Sequence, residues 1–149
     1  MAIANRETGR DALTTLLRAA LVGTGKPAQA VYGYMVGDFN SQSPVVVIAS
    51  AGSEPEQRAV TSRQKNEFYF TVYSFTLYAV AGTDWGEDDT EDRVDLLDKT
   101  IRETLLNNRS TATWAEIEFD GRSVVDSVLI SGVEYRREST PIRMTVYDN

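Results

Sequence analysis

The chain has 149 residues, enough for one domain with an apolar core, and we expect a single domain over residues 1–149. It contains no cysteine and no histidine, which excludes disulfides, thiolate metal sites and catalysis by a cysteine or histidine. No apolar run approaches the roughly 18 residues of a membrane span, and no residue spacing indicates an active site. We therefore expect a non-enzymatic protein with no cofactor and no membrane partner.

The charge is unevenly distributed along the chain. The net charge is −7 overall, but residues 1–66 carry +2 and residues 67–149 carry −9. An acidic total argues against non-specific nucleic-acid binding, which depends on Lys and Arg. The asymmetry has two interpretations: subunits that dock head to tail, or an ordinary solvated surface.

The first predicted element is an amphipathic helix. Its apolar residues recur at helical spacing and form one stripe, at Leu13, Leu16, Leu17, Ala20 and Leu21. Glycines and a proline at Gly23, Gly25 and Pro27 predict its end.

Three strands are predicted next. Residues 30–35 and 45–49 are apolar and β-branched or aromatic, and turn residues over 37–44 predict a loop between them. Residues 50–65 are polar and predict a second loop. Residues 68–80 carry apolar groups on both faces, which indicates a strand in the centre of a sheet.

An acidic run leads into the second predicted helix, whose apolar face contains Val94, Leu97, Ile101 and Leu105. The acids, from Asp84 to Asp98, are open to two interpretations. Clustered carboxylates suit a hard cation, but the spacing of a calcium-binding loop is absent. Acids in the first turns of a helix also stabilise its dipole, and we favour this explanation. No metal site is therefore predicted.

The last part of the chain is predicted to be a three-stranded meander. Its strands cover residues 114–119, 124–130 and 133–147, with turns at Asp120-Gly121 and Ser131-Gly132. The apolar positions change parity at Pro141, which predicts a bulge or break there.

These elements predict an α+β fold in which an antiparallel or mixed sheet of about six strands packs with two helices. The order is α-β-β-β-α-β-β-β.

Several short motifs accompany this order. They are Val31-Tyr32-Gly33-Tyr34, Gly37-Asp38, Ser43-Pro44-Val45-Val46-Val47 and the segment from Gly132 to Glu138. Together with the element order and chain length, they resemble the tail-terminator, or tail-completion, proteins of long-tailed bacteriophages. The resemblance covers nearly the whole chain. The family contributes no catalytic residues to this sequence.

The resemblance implies a subunit of a hexameric ring that ends polymerisation of the tail tube. Its partners would be other copies of the chain, the tail tube protein and the head-tail connector or neck protein, with DNA only passing through the channel. Its location would be the tail or neck of a virion assembled in the host cytoplasm. The alternative is a non-enzymatic binding protein or tail-assembly chaperone that acts as a monomer or dimer.

Two groups of residues are candidate sites. Loops 37–44 and 52–66 are too long and polar for simple connections, so we expect contacts with neighbouring subunits there. The candidate interface residues are Asp38, Phe39, Asn40, Gln42, Glu54, Glu56, Arg58 and Arg63. The candidate channel-facing residues are Glu116, Glu118 and Asp120, because the first two share one face of a strand whose other face is apolar.

Overall fold

A computed structural model of the protein describes residues 5–40, 42–60, 67–82 and 87–148. It has two helices and six strands in the predicted order. They are α1 (Arg6–Leu21), β1 (Ala30–Tyr32), β2 (Val45–Val60), β3 (Glu67–Gly82), α2 (Glu87–Asn107), β4 (Glu116–Phe119), β5 (Val124–Ile130) and β6 (Val133–Asp148). In the described residues, neither helix is long and apolar enough to cross a membrane.

The six strands form one mixed sheet in the order β1-β2-β3-β6-β4, and β5 also pairs with β6. Only β1 and β2 are parallel, and all the other pairs are antiparallel. The predicted central position of the aromatic strand is confirmed, because β3 lies between β2 and β6 over its length. The sheet is built from two long hairpins, β2–β3 and β4/β5–β6, which α2 connects.

Both helices pack on one face of the sheet. Asn5 caps α1 by accepting a hydrogen bond from the Thr8 backbone N–H at 2.8 Å. The apolar residues of both helices then meet the sheet in one core, where Leu13, Leu17 and Leu97 are completely buried. Phe75, Leu77 and Met144 supply fully buried side chains from the strands. A smaller cluster on the opposite face contains Phe39, Val45, Val47, Val80 and Tyr135.

The predicted loop over residues 50–65 is wrong for residues 50–60, because β2 continues to Val60. The small and polar residues of this segment have low β propensity. They pair with β3, whose aromatic and β-branched residues favour a strand, and two irregularities in register accommodate them, at Ser50/Gly52 and Gln57/Ala59. Residues 61–66 lie outside the described residues.

The predicted meander is also wrong. Strands β4 and β5 do not pair with each other; they lie one after the other along the same edge of β6. The chain therefore does not reverse at Asp120-Gly121, although Gly121 has a positive φ of 94°. It reverses at the predicted Ser131-Gly132 turn, where both residues have positive φ, 51° and 77°, as a two-residue hairpin turn requires.

Pro141 does not interrupt β6, contrary to the predicted bulge or break. The register between β3 and β6 is continuous across it. The Asp120 backbone N–H donates to the Pro141 carbonyl at 2.9 Å, so the backbone of Pro141 faces the gap between β4 and β5. Its missing N–H costs no ladder bond there. The change in apolar parity has another cause: Tyr135 packs in the cluster on one face, and Ile142 packs under the helices on the other.

Candidate assembly surfaces

The face of the sheet turned away from the helices carries acidic side chains at the two ends of one cross-strand row, with buried Thr145 and Val72 between them. On β4, Ile117 is buried under the helices, and Glu116 and Glu118 point to the opposite face, as predicted from their alternation. Cross-strand pairing aligns Glu116 with Thr145, then Val72, then Glu54 at the far side of the sheet. This acidic row, Glu54 to Glu116, thus has a carboxylate at each end.

The neighbouring row contains a cation, Arg143, that the register brings next to the acids. Arg143 lies directly opposite Glu118 on β4 and opposite Ser74 on β3. Glu54 is exposed, whereas Glu116, Glu118 and Arg143 are partly exposed. The ion pair Asp126–Arg137 lies on the same face by alternation, so the described strands place four acids and two bases there. Such a surface repels the phosphate backbone of DNA more than it attracts it.

The third channel candidate, Asp120, is at the end of β4. Its side chain is exposed, and its backbone is fixed by the hydrogen bond to Pro141. The strand register that groups Glu116 with Glu118 does not extend to Asp120. It therefore lies at the border of the acidic surface.

The loop over residues 37–44 is held in place within the subunit. The Asp38 carboxylate accepts from the Asn40 backbone N–H at 2.9 Å, and Asn40 takes a positive φ of 51°. Gln42 accepts a hydrogen bond from the Tyr32 hydroxyl through its side-chain oxygen. Asp38 and Asn40 are exposed and Gln42 is partly exposed, so these three can contact a neighbour.

Phe39 is a correction to the interface prediction. Its side chain is only 2% exposed, and it packs against Tyr135 with ring centroids 5.2 Å apart. The length and polarity of loop 37–44 predict that its residues contact another subunit. The structure uses Phe39 to anchor the loop to the second cluster of the core.

Three of the other interface candidates lie in a strand instead of the predicted loop. Glu54, Glu56 and Arg58 are on β2, and Arg63 lies outside the described residues. The Glu54 side chain is exposed and belongs to the acidic row. Because β2 extends to Val60, residues 52–60 of the predicted contact loop belong to a strand.

The sequence did not reveal an exposed apolar edge on β5. Val124, Val125 and Leu129 are 54%, 41% and 72% exposed, and β5 contains no proline or glycine. Its single charge, Asp126, is held by two hydrogen bonds from Arg137 at 3.0 and 2.8 Å. This pair lowers the pKa of Asp126, mainly through the hydrogen bond from Arg137. The pair fixes β5 to β6 and leaves its outer side apolar.

Two further arginines of α2 and β6 form ion pairs with residues of the acidic run. Arg102 contacts Asp98 at 2.8 Å, and Arg136 contacts Glu91 at 2.6 Å. The acidic run therefore contributes ion pairs as well as charge at the start of α2. In the part of the chain that the structure describes, no three acidic residues converge on a position that could hold a metal ion.

A buried carboxyl group, Glu138, lies between β6 and α2 and was also missed. It is 8% exposed, and its Oε2 atom has no hydrogen-bond partner among the described residues. Its pKa is raised to about 7, mainly by burial and then by the charge of Asp98 and a hydrogen bond with it. Arg102 opposes this shift, and Asp95 adds to it. A glutamate on a predicted strand carries no sequence signal that α2 will cover it.

No protein-family model matches the chain, and no curated protein sequence matches it. Among solved structures, the chain aligns with one described as "Virion of native gene transfer agent (GTA) particle". The TM-score is 0.46 with 10% sequence identity, and the alignment covers 91% of this chain and 84% of that chain. At this level of similarity, the alignment alone assigns no function.

Proposed function

We propose that this chain is a non-enzymatic structural subunit of a phage-like virion. In this proposal it forms a closed ring, most simply a hexamer, at the head-proximal end of the tail. The ring ends polymerisation of the tube and joins the tail to the head connector, while DNA passes through its centre. The motifs and element order that resemble tail-terminator proteins are the source of the proposed location.

The observation that carries the proposal is the acidic row on the sheet face opposite the helices. In a ring with this face inward, Glu54, Glu116 and Glu118 would line the channel. DNA carries about one negative charge per 1.7 Å of its axis. A lumen of mostly acidic character would hold few phosphates, so DNA could slide. The helices would then form the outer layer.

The asymmetry of the subunit also supports a ring. A closed ring of more than two copies needs one surface to dock onto a different surface of the next copy. The two outer edges of the sheet differ in sequence, length and side-chain size, which suits such a heterologous contact.

Mass photometry of the purified protein, alone and with tail tubes, tests this function. One chain has a mass of 16.5 kDa, and we expect a discrete ring species of about 100 kDa for six copies. Electron microscopy should show the ring at one end of each tube, and added protein should stop tube growth. A monomer or dimer that leaves tube length unchanged would favour the assembly-chaperone alternative instead.

A further inference from the structure

The outer side of β5 is an open strand edge with little protection. Among the described residues, β5 pairs only with β6. The register directs the backbone groups of Val125, Ser127 and Leu129 away from β6, where a further strand could pair with them. Natural proteins protect open edges with prolines, lysines or bulges, and β5 has none of these.

The opposite edge of the sheet is a complementary surface. Strand β1 covers β2 only at Val45–Val47, and Pro55 interrupts the donors farther along. Between them, residues 48–54 form a segment of seven residues with which no described strand pairs on this side, and the register irregularity at Ser50/Gly52 divides it into two short stretches. Its central side chains are small, Ala49 to Ser53, whereas those of β5 are mostly large and apolar.

Strand direction is compatible with joining these two edges. The antiparallel pairs from β2 through β3 and β6 to β5 alternate in direction, so β5 runs opposite to β2. A β2 strand from another copy would therefore add to β5 in antiparallel orientation. Within one subunit, the cross-strand pairs align Val124–Asp126 of β5 with Val45–Val47, which is the part of β2 that β1 covers. The copies must be offset along the strands, as the stagger of a closed sheet requires.

We propose that β5 of one copy pairs with residues 48–54 of β2 in the next copy, so that the sheet continues from subunit to subunit. This inference rests on the proposed ring and names its contact. Backbone hydrogen bonds would supply affinity, and the large apolar side chains of β5 would lie over the small side chains of β2. Because the two edges differ, each copy has one free edge of each kind until the ring closes.

Cysteine cross-linking tests the contact, since the chain has no cysteine of its own. Ser127→Cys is combined in one chain with Ala49→Cys, Ala51→Cys or Ser53→Cys, and a mild oxidant is added. Neighbouring strands bring Cα atoms within disulfide range. We expect at least one double variant to give a ladder of covalent oligomers up to the ring, and mixed single variants to give cross-linked pairs only. Strong cross-linking by Ser127→Cys alone would indicate a symmetric β5–β5 contact and overturn the proposal.

A second pair of variants tests the backbone contact. Ser127→Pro removes an N–H that faces outward, whereas Ser127→Ala keeps it. We expect the proline variant to weaken ring formation at least about tenfold, with circular dichroism of the subunit preserved, and the alanine variant to assemble normally. If rings form but no double cysteine variant cross-links, and Ser127→Pro assembles as well as the unmodified protein, this contact is wrong although the ring proposal stands. Absence of rings in the unmodified protein, alone and with tubes, would overturn both.

Discussion

Glu138 is a carboxyl group that folding places where a negative charge is unfavourable. It lies under α2 with Asp98 and Asp95 nearby, and Arg102 compensates only in part. On its own sheet, its neighbours in register are Ala79 and Val125, which offer no charge. The folded protein therefore favours the protonated acid near neutral pH.

This shift predicts a stability that falls with rising pH. Folding raises the Glu138 pKa from 4.5 to about 7, so between these values the folded chain keeps a proton that the unfolded chain has lost. Its stabilising effect is complete below pH 4.5 and is lost as pH rises to about 7. Between pH 5 and pH 8, the free energy of unfolding of the unmodified protein should fall by an amount on the order of 2–3 kcal/mol from this group. In Glu138→Gln, whose side chain stays neutral, this fall should be absent.

Urea unfolding at the two pH values measures the effect. Glu103→Gln is the matched control, because Glu103 is exposed on α2. It should retain the pH dependence of the unmodified chain. Equal pH dependence in Glu138→Gln and the unmodified protein would show that Glu138 ionises freely in the fold.

At the scale of elements, α2 offers neighbouring residues with opposite environments. Leu97 is completely buried in the main core, whereas Leu96 is 50% exposed. Leu97→Ala should lower the free energy of unfolding by roughly 2–5 kcal/mol through lost apolar contacts and a cavity, and Ile101→Ala should have a similar effect. Leu96→Ala should change it by less than about 0.5 kcal/mol. Denaturant titrations check these values, and similar losses at 96 and 97 would contradict the observed packing.

The helices and the general order of strands were predictable because their signals are local. Leu97 and Ile101 were identified as core residues from helical spacing, and they are buried. The continuation of β2 through Gly52 and Pro55 was not predictable, because it depends on β3 as a partner. The same is true of β4 and β5, which share the edge of β6 although four residues, including Gly121, separate them.

The candidate site residues also divide into those that a local sequence pattern predicts and those whose position depends on the whole fold. Alternation within one strand predicted that Glu116 and Glu118 share a face opposite to buried Ile117. Glu54 lies at the other end of the row that begins at Glu116, and this position depends on the register of three strand pairs, which the sequence alone does not give. Phe39 was assigned to an interface because its loop is polar, and only the fold shows that it fills a core cluster.

At the scale of the assembly, the acidic face predicts weak interaction with DNA. Replacing both Glu116 and Glu118 with Lys changes the charge of each subunit by four units on that face. We expect assembled rings of this variant to bind duplex DNA at least about tenfold more tightly at low salt, with a steeper salt dependence. Fluorescence anisotropy with labelled DNA measures both quantities.

The control changes the same charge on the helical layer, with Asp92→Lys and Glu103→Lys on exposed positions of α2. Its effect on DNA binding should be clearly smaller if the sheet face lines the channel. A control that binds DNA as tightly as the β4 variant would show that net charge alone matters and that the acidic row does not face DNA.

The central ladder between β3 and β6 joins the two halves of the sheet. Its nearest partners along the chain, Gly82 and Tyr135, enclose α2, β4 and β5. The strands within each hairpin are joined by a short connection. Pairing of β3 with β6 instead closes a long loop of the chain, which costs more conformational entropy. Until β3 and β6 pair, the two hairpins present four open edges instead of two. Folding of the subunit therefore also removes two of the four sites at which copies could pair in the wrong order.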